Sequence, residues 1–275
     1  MLGASDTSPE VEQMLIDCYR RMPVSQKWAN LRSAYMMARG IHAAGHRHRN
    51  PGATGRSIQE EWILSAWNFP SPIPIPEDLL EPSKQDFQPA LSEVIATFER
   101  LSIGYAFGGS IASSLHGIGR MTQDADLTAV PFPGKERAFV EAFDPKQYYL
   151  NLDTVREAVR TRSTFNIIHP ATGYKIDVFV QKDDPFEQSA YSRCQSFAIT
   201  EVPGRKVPVH SPEDIIQFKL RRFRIGGEVS DRQWTDILNV MKVQGERLDQ
   251  TYLDRWAAEI GVGDLLARAR VDAKI

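Results

Sequence analysis

Six prolines crowd the stretch between Asn68 and Pro89: Pro70, Pro72, Pro74, Pro76, Pro82 and Pro89. Each fixes φ and removes a backbone donor, so neither a helix nor a central strand is expected here. A semi-rigid extended linker over 68–89 is the expectation. It sets apart a helical module over 1–67 from everything that follows. Within that module Ser8-Pro9-Glu10 reads as an N-cap with Pro at N1. Val11, Met14, Leu15, Cys18, Tyr19 and Met22 then recur at helical spacing, which predicts one apolar stripe. Pro23 interrupts it. A second pattern runs through Trp28, Leu31, Tyr35, Ala38 and Ile41 and ends near Gly45. A third starts at Ser57, with Ser57 and Glu60 as a capping box. Three short helices of this kind need a neighbour to pack against.

Composition narrows the class. The 275 residues are 42% hydrophobic and 25% charged, the balance of an ordinary globular chain. With 33 Lys plus Arg against 35 Asp plus Glu, the net charge is -2. No whole-chain nucleic-acid signature is present, although a local basic patch is allowed. No apolar run approaches the roughly 18 residues of a membrane span. Asp6, Glu10, Glu12 and Asp17 leave no apolar leader among the first twenty residues, so a cytoplasmic protein with no membrane partner is expected. Cys18 and Cys194 match no metal spacing and read as buried free thiols.

Beyond the linker the texture becomes mixed. Helical patterns over Leu91–Leu101, Ile111–Leu115 and Phe139–Phe143 alternate with strands at Tyr105–Phe107 and Leu127–Val130. A hairpin joins Phe165–Ile168 to Tyr174–Val180 through a Pro170 and Gly173 turn. From Ser211 onward the chain reads as helical. The expected class is therefore α+β, with a core over 90–210 and a C-terminal helical region over 211–275.

The stretch Tyr105–Val130, YAFGGSIASSLHGIGRMTQDADLTAV, carries the chemistry. Gly108-Gly109-Ser110 lies between a strand and a helix. Glycines let backbone approach a ligand closely, and a helix N-terminus with Ser110 at its N-cap suits a phosphate. A plain helix-capping turn has the same composition. Asp124 and Asp126 sit two apart on a strand and so project from one face. Roughly 6–7 Å apart, two such carboxylates repel unless a cation lies between them. Hard oxygen ligands suit Mg2+ or Mn2+; two solvated acids at a strand end are the simpler alternative. In the second hairpin strand Tyr174, Ile176, Val178 and Val180 share one face, and Lys175, Asp177 and Phe179 the other. An Asp in so apolar a strand needs a partner if it is buried.

The ordered set of strand, Gly-Gly-Ser, helix, D-x-D and a later strand Asp resembles the nucleotidyltransferase superfamily, the polymerase-beta-like fold, over roughly Val94–Val180. The spacer from Ser110 to Asp124, with Arg120 and Thr122 before the first Asp, is similar to the AbiEii/AbiGii toxin-type branch. The resemblance implies a mixed sheet flanked by helices. It also implies a turn at Gly108, Gly109 and Ser110 that grips the triphosphate of an NTP. Asp124, Asp126 and Asp177 would be the metal ligands and catalytic carboxylates for Mg2+ or Mn2+. The implied reaction is a two-metal in-line displacement releasing pyrophosphate, with Asp177 nearest the acceptor hydroxyl as candidate general base.

Two outlying features bear on that expectation. Ser211-Pro212-Glu213-Asp214 is a strong helix start, and the helix after it places Lys219 on the apolar stripe of Ile215 and Phe223. A Lys there either snorkels outward or reaches a buried anion; in the implied fold it reaches nucleotide phosphates. Arg221, Arg222 and Arg224 face elsewhere, toward a polyanionic acceptor or solvent. On the next helix the stripe of Trp234, Ile237, Leu238 and Met241 turns Asp236 toward solvent. In the N-terminal module no Asp or Glu occurs from Cys18 to Gln59, while Arg20, Arg21, Lys27, Arg32, Arg39, Arg47, Arg49 and Arg56 do, with His42, His46 and His48. Such a segment fits an RNA acceptor, tRNA foremost, or docks onto acidic surface of the core. His42 and His46 have a metal-ligand spacing but no evident third ligand. The expected function is NMP transfer from an NTP to RNA or another macromolecule, with a toxin role and an antitoxin partner. An antibiotic-type small-molecule nucleotidyltransferase and a non-catalytic nucleotide-binding module are the alternatives.

Overall fold

The computed structural model describes residues 8–76, 79, 81, 84–199 and 205–275. Pro82 of the proline stretch and Asp6 lie outside the described residues. Strands β1 (Tyr105–Phe107), β2 (Asp124–Ala129), β3 (Thr164–His169), β4 (Tyr174–Val180), β5 (Gln195–Phe197) and β6 (Val207–Val209) form one mixed sheet. Its order is β3-β4-β2-β1-β6-β5. The β3/β4 hairpin is antiparallel, β2 runs parallel to β4 and antiparallel to β1, and β6 runs parallel to β1. Burial alternates residue by residue along β2 and β4. The apolar set sits in the core, and Asp124, Asp126, Lys175 and Asp177 take the other face, as the period-2 pattern requires.

Helices cover the sheet, which makes the class α+β. They are α1 (Pro9–Arg21), α2 (Val24–Arg49), α3 (Gly55–Trp67), α4 (Gln88–Arg100), α5 (Gly109–His116), α6 (Glu136–Glu141), α7 (Leu152–Thr161), α8 (Pro185–Ser192), α9 (Pro212–Ile225), α10 (Asp231–Gln244), α11 (Gln250–Glu259) and α12 (Gly263–Ala273). Among the described residues no helix is long and apolar enough to cross a membrane. Helix α5 packs on α9 and α10. Gly117 lets it do so: a Cβ there would lie 2.8 Å from the backbone of Asn239 and Val240.

Several local expectations change. Helix α2 runs through Gly45 to Arg49, because one Gly costs only about 1 kcal/mol in a helix held by packing. The N-cap of α3 is Thr54, whose Oγ1 accepts from Ser57 N–H, so Ser57 is inside the helix. On α1 the predicted stripe is exposed at Val11, Met14, Leu15 and Cys18 and half-buried at Tyr19 and Met22, and Ile16 is the buried residue. Cys18 is therefore not a buried thiol, and Cys194 is half-buried; both are free. In α1 side-chain polarity, not the apolar stripe, makes the dock: Arg20 donates to the carbonyls of Val243 and Lys242 at the end of α10.

Up to Phe87 the described residues of the proline stretch form no α-helix or strand, and its last two residues, Gln88 and Pro89, begin α4. It is also anchored. Ile75 and Leu79 are buried in the same apolar cluster as Trp28, Tyr35, Phe87 and Tyr174. Tyr35 is fully buried, stacks edge-on to Phe87 and Tyr174, and donates its hydroxyl to the Thr172 carbonyl at 2.8 Å. Apolar packing is thus continuous from the N-terminal helices across this stretch to the sheet.

Candidate active site

The turn after β1 is built around one glycine. Gly108 N–H donates to the Asp126 carbonyl, which ties the turn to β2. Gly109 follows with φ +48, in the left-handed region, and a Cβ on it would lie 1.8 Å from Asp126 Oδ2. Only glycine fits there. Ser110 is consequently inside α5, with Gly108 as the cap residue, and not at the N-cap as the sequence suggested. Its N–H points at the Asp126 carboxylate, 3.2 Å away. Its hydroxyl accepts from Arg120 Nη2 at 2.8 Å. Replacing Gly109 by Ala forces a left-handed Ala against a carboxylate; the variant is expected to lose about 2 kcal/mol of stability in urea unfolding.

The carboxylates share a face but differ in their partners. Asp126 stands opposite Asp177 in the parallel β2/β4 register, and Asp124 stands opposite Lys175. Asp124 Oδ1 accepts from Thr122 Oγ1 at 2.8 Å. Asp177 accepts from Lys175 Nζ at 2.9 Å and from Asn166 Nδ2. Burial of its carboxyl, with the charges of Asp124 and Asp177 beside it, pushes Asp126 up to about 6, while the Ser110 N–H and Lys219 pull the other way. The folded value lies above the unfolded one. Folding therefore favours protonated Asp126, a contribution present below about 3.8 and lost as pH rises through about 6. Chelator-treated Asp126→Asn protein is expected to match the parent near pH 4. At pH 8 it should exceed it by about 1–2 kcal/mol, the residue being partly solvent-accessible. Thermal melts across that range check this.

Those properties answer what cation the site suits. Asp124 and Asp126 are hard oxygen donors on a rigid strand whose mutual repulsion a divalent ion relieves. Asp177 is in register with them, yet its oxygens are held by Lys175 and Asn166. Among the described residues no three His, Cys, Asp or Glu side chains are drawn together around a metal-sized point.

Beyond the turn lies a buried ion network. Lys219 is 4% exposed and donates to Asp236 Oδ2 at 2.8 Å and to Gln233 Oε1 at 3.3 Å. Arg120 closes a fork on Asp236 at 2.7 and 2.8 Å. Burial opposes the charge on Asp236, but Arg120 and Lys219 hold its carboxyl below the ordinary range. Asp236 is thus 3% exposed rather than turned to solvent. Helix α10 is covered on several sides, by α1, α5, α9 and α12. A second stripe of Asp236, Val240 and Val243, all buried, was the signal for it in the sequence. Lys219 does reach a buried anion, which here is Asp236. Of the three arginines beyond it, Arg221 pairs with Asp184 and Glu187, and Arg224 with Glu228 and Asp264.

The cations of the acid-free N-terminal segment are largely paired with groups of this same chain, two of them, Lys27 and Arg39, in its interior. Arg20 caps α10, and Lys27 is buried with Nζ donating to the Leu115 carbonyl near the end of α5. Cations at helix C-termini complement the dipole. Arg39 is buried against Thr172 and Gln59. Arg32 pairs with Asp86, Arg47 with Glu81, Arg49 with Glu61 and Arg56 with Glu60. His42 and His46 both face Glu61. Docking onto the rest of the chain is what most of these residues do.

No family model matches the sequence, and no curated protein sequence matches it. Solved structures similar to it include ANT(2″)-Ia in complex with adenylyl-2″-tobramycin, at 18% identity and a TM-score of 0.41, over 62% of this chain and 95% of that one. The solution structure of the antibiotic-resistance factor ANT(2″)-Ia aligns at 18% identity and a TM-score of 0.38, over 66% and 91%. An antigenic nucleotidyltransferase-like protein from Paracoccidioides brasiliensis aligns at 18% identity and a TM-score of 0.39, over 66% and 91%.

Proposed function

We propose that this chain is a metal-dependent nucleotidyltransferase, moving NMP from an NTP to a hydroxyl acceptor with release of pyrophosphate. The observation that carries the reading is the unit made by the Gly109–Ser110 turn and Asp126, which stands in register with Asp177. The turn closes directly on the Asp126 carboxylate, so an ion held by the β2 carboxylates would sit beside the N-terminal end of α5, where a phosphate is favoured.

In this reading Gly108, Gly109 and Ser110 receive the triphosphate, with Lys219 and Arg120 as the neighbouring cations. Asp124 and Asp126 hold Mg2+ or Mn2+, which when bound draws charge from the phosphate oxygens. Asp177 lies on the neighbouring strand and orients the acceptor. The acceptor oxygen bonds to the α-phosphorus as the bond from that phosphorus to the bridging oxygen breaks. Pyrophosphate carries away that electron pair, and the hydroxyl proton passes to Asp177. Placing these groups before reaction supplies most of what the protein contributes.

An RNA acceptor, tRNA foremost, belongs to the toxin-type reading with its antitoxin partner; a small hydroxylated molecule belongs to the antibiotic-type one. Burial takes Lys27 and Arg39 out of the set of cations that favoured RNA, while Arg47, Arg49 and Arg56 keep their places at the surface in ion pairs with Glu81, Glu61 and Glu60. Purified protein, Mg2+, α-labelled NTPs and either cellular RNA or a panel of polyhydroxylated amines decide between them. Label on RNA supports the first, and label only on a small molecule supports the second. Tight NTP binding with no pyrophosphate released from any mixture would overturn the enzymatic reading.

A further inference from the structure

The parallel register of β2 and β4 sets four charged positions in two facing pairs, Asp124 with Lys175 and Asp126 with Asp177. Lys175 and Asp177 are two apart on one strand, so their side chains leave the same face. Nζ of Lys175 sits 2.9 Å from Asp177 Oδ2, and Asn166 of β3 donates to the other oxygen. Both members of this pair are mostly shielded, at 21% and 15% side-chain exposure. The other two cations near the carboxylates, Arg120 and Lys219, are paired with Asp236. Lys175 is therefore the cation given to Asp177.

Resting on the nucleotidyltransferase reading above, we propose that Lys175 takes the place of a second divalent ion. The site then holds one Mg2+ or Mn2+, on Asp124 and Asp126, and Lys175 is the fixed positive charge on the acceptor side. One lysine and one divalent ion together match the three carboxylates. A second divalent ion at Asp177 would lie beside an ammonium group whose position is set by its own strand. Asn166 donates to the other oxygen, so a second ion at Asp177 would have to compete with two donors already on that carboxylate. Lys175 is a positioning residue: it holds the Asp177 carboxylate toward the acceptor and leaves metal binding to β2.

Manganese resonance spectra test this apart from turnover. Full-length protein is mixed with Mn2+ and saturating NTP analogues carrying a methylene bridge between the α and β phosphorus, one for each base. The parent protein is expected to give an isolated-ion spectrum that Asp124→Asn removes. Lys175→Met, checked for an unchanged melting temperature, is expected to give the dipolar-coupled spectrum of two neighbouring ions. Adding Asp177→Asn should return it to an isolated ion. A coupled pair in the parent, or a folded Lys175→Met that still shows one isolated ion, overturns the proposal while leaving the nucleotidyltransferase reading intact. No protein-bound Mn2+ in the parent with any analogue overturns that reading itself. Should Lys175→Met melt early, Lys175→Gln takes its place under the same criteria.

Discussion

Asp236→Ala is expected to destabilise the protein by about 3–5 kcal/mol. Asp236 is the shared anion of Lys219 and Arg120, and Lys219 has little water to turn to at 4% exposure. Truncating one partner of a buried pair leaves the other charge desolvated and uncompensated, which costs more than the pair contributes. Burial already pulls Lys219 below the ordinary lysine range, and Asp236 is the largest influence restoring it. Urea unfolding should show the loss, and Lys219→Met in the same background should recover part of it by taking away the stranded charge. The effect also reaches the turn. Arg120 spans Asp236 and the Ser110 hydroxyl, so NTP affinity should fall even where Asp236→Ala remains folded.

Asp124→Ala and Asp126→Ala are expected to lower label transfer by roughly a thousandfold or more, the scale on which single preorganised electrostatic groups act. Neither variant should be less stable than the metal-free parent. Asp126 is crowded by Asp124 and Asp177 and pushed up to about 6. Removing either carboxylate relieves that repulsion in metal-free protein. A loss of activity combined with an equal or higher melting temperature therefore separates a site defect from a folding defect. Conversely, excess Mg2+ should raise the melting temperature of the parent and have little effect on either variant, since a ligand that binds only the folded state stabilises it by mass action.

Sequence pattern was informative where one face of an element is buried and the other is not. β2 and β4 alternate strictly, so period two alone puts Asp124 with Asp126 and Lys175 with Asp177, while the parallel pairing that brings the two sets onto one face is a matter of topology. Gly109 was visible as a glycine between strand and helix, although its positive φ and contact with Asp126 depend on tertiary approach. Asp236 was misplaced because α10 is buried on more than one side, and a single-stripe wheel reads its second face as solvent. Helices α7 and α8 and the three-residue strands β5 and β6 were not expected. β1 is equally short but is a continuous buried run of Tyr, Ala and Phe, whereas Gln195-Ser196-Phe197 is largely exposed and Val207-Pro208-Val209 contains a Pro. For α7 the N-cap Asn151 and the spacing of Val155, Ala158 and Val159 are a helix signal that the expectation leaves unused. Composition misled most in the N-terminal segment. An acid-free run suggests a surface for a polyanion, but the acids and helix-end carbonyls that these cations meet lie elsewhere in the chain, as Glu81 and Asp86 do for Arg47 and Arg32.

In the proposed function the Gly109–Ser110 turn and the β2 carboxylates form one nucleotide site. A crystal structure of the protein with Mn2+ and an unreactive NTP analogue tests it most directly. Anomalous density for Mn2+ is expected against Asp124 and Asp126, with the triphosphate along Gly109 and Ser110 and within reach of Lys219 or Arg120. Manganese and triphosphate bound away from Asp124 and Asp126 would contradict it.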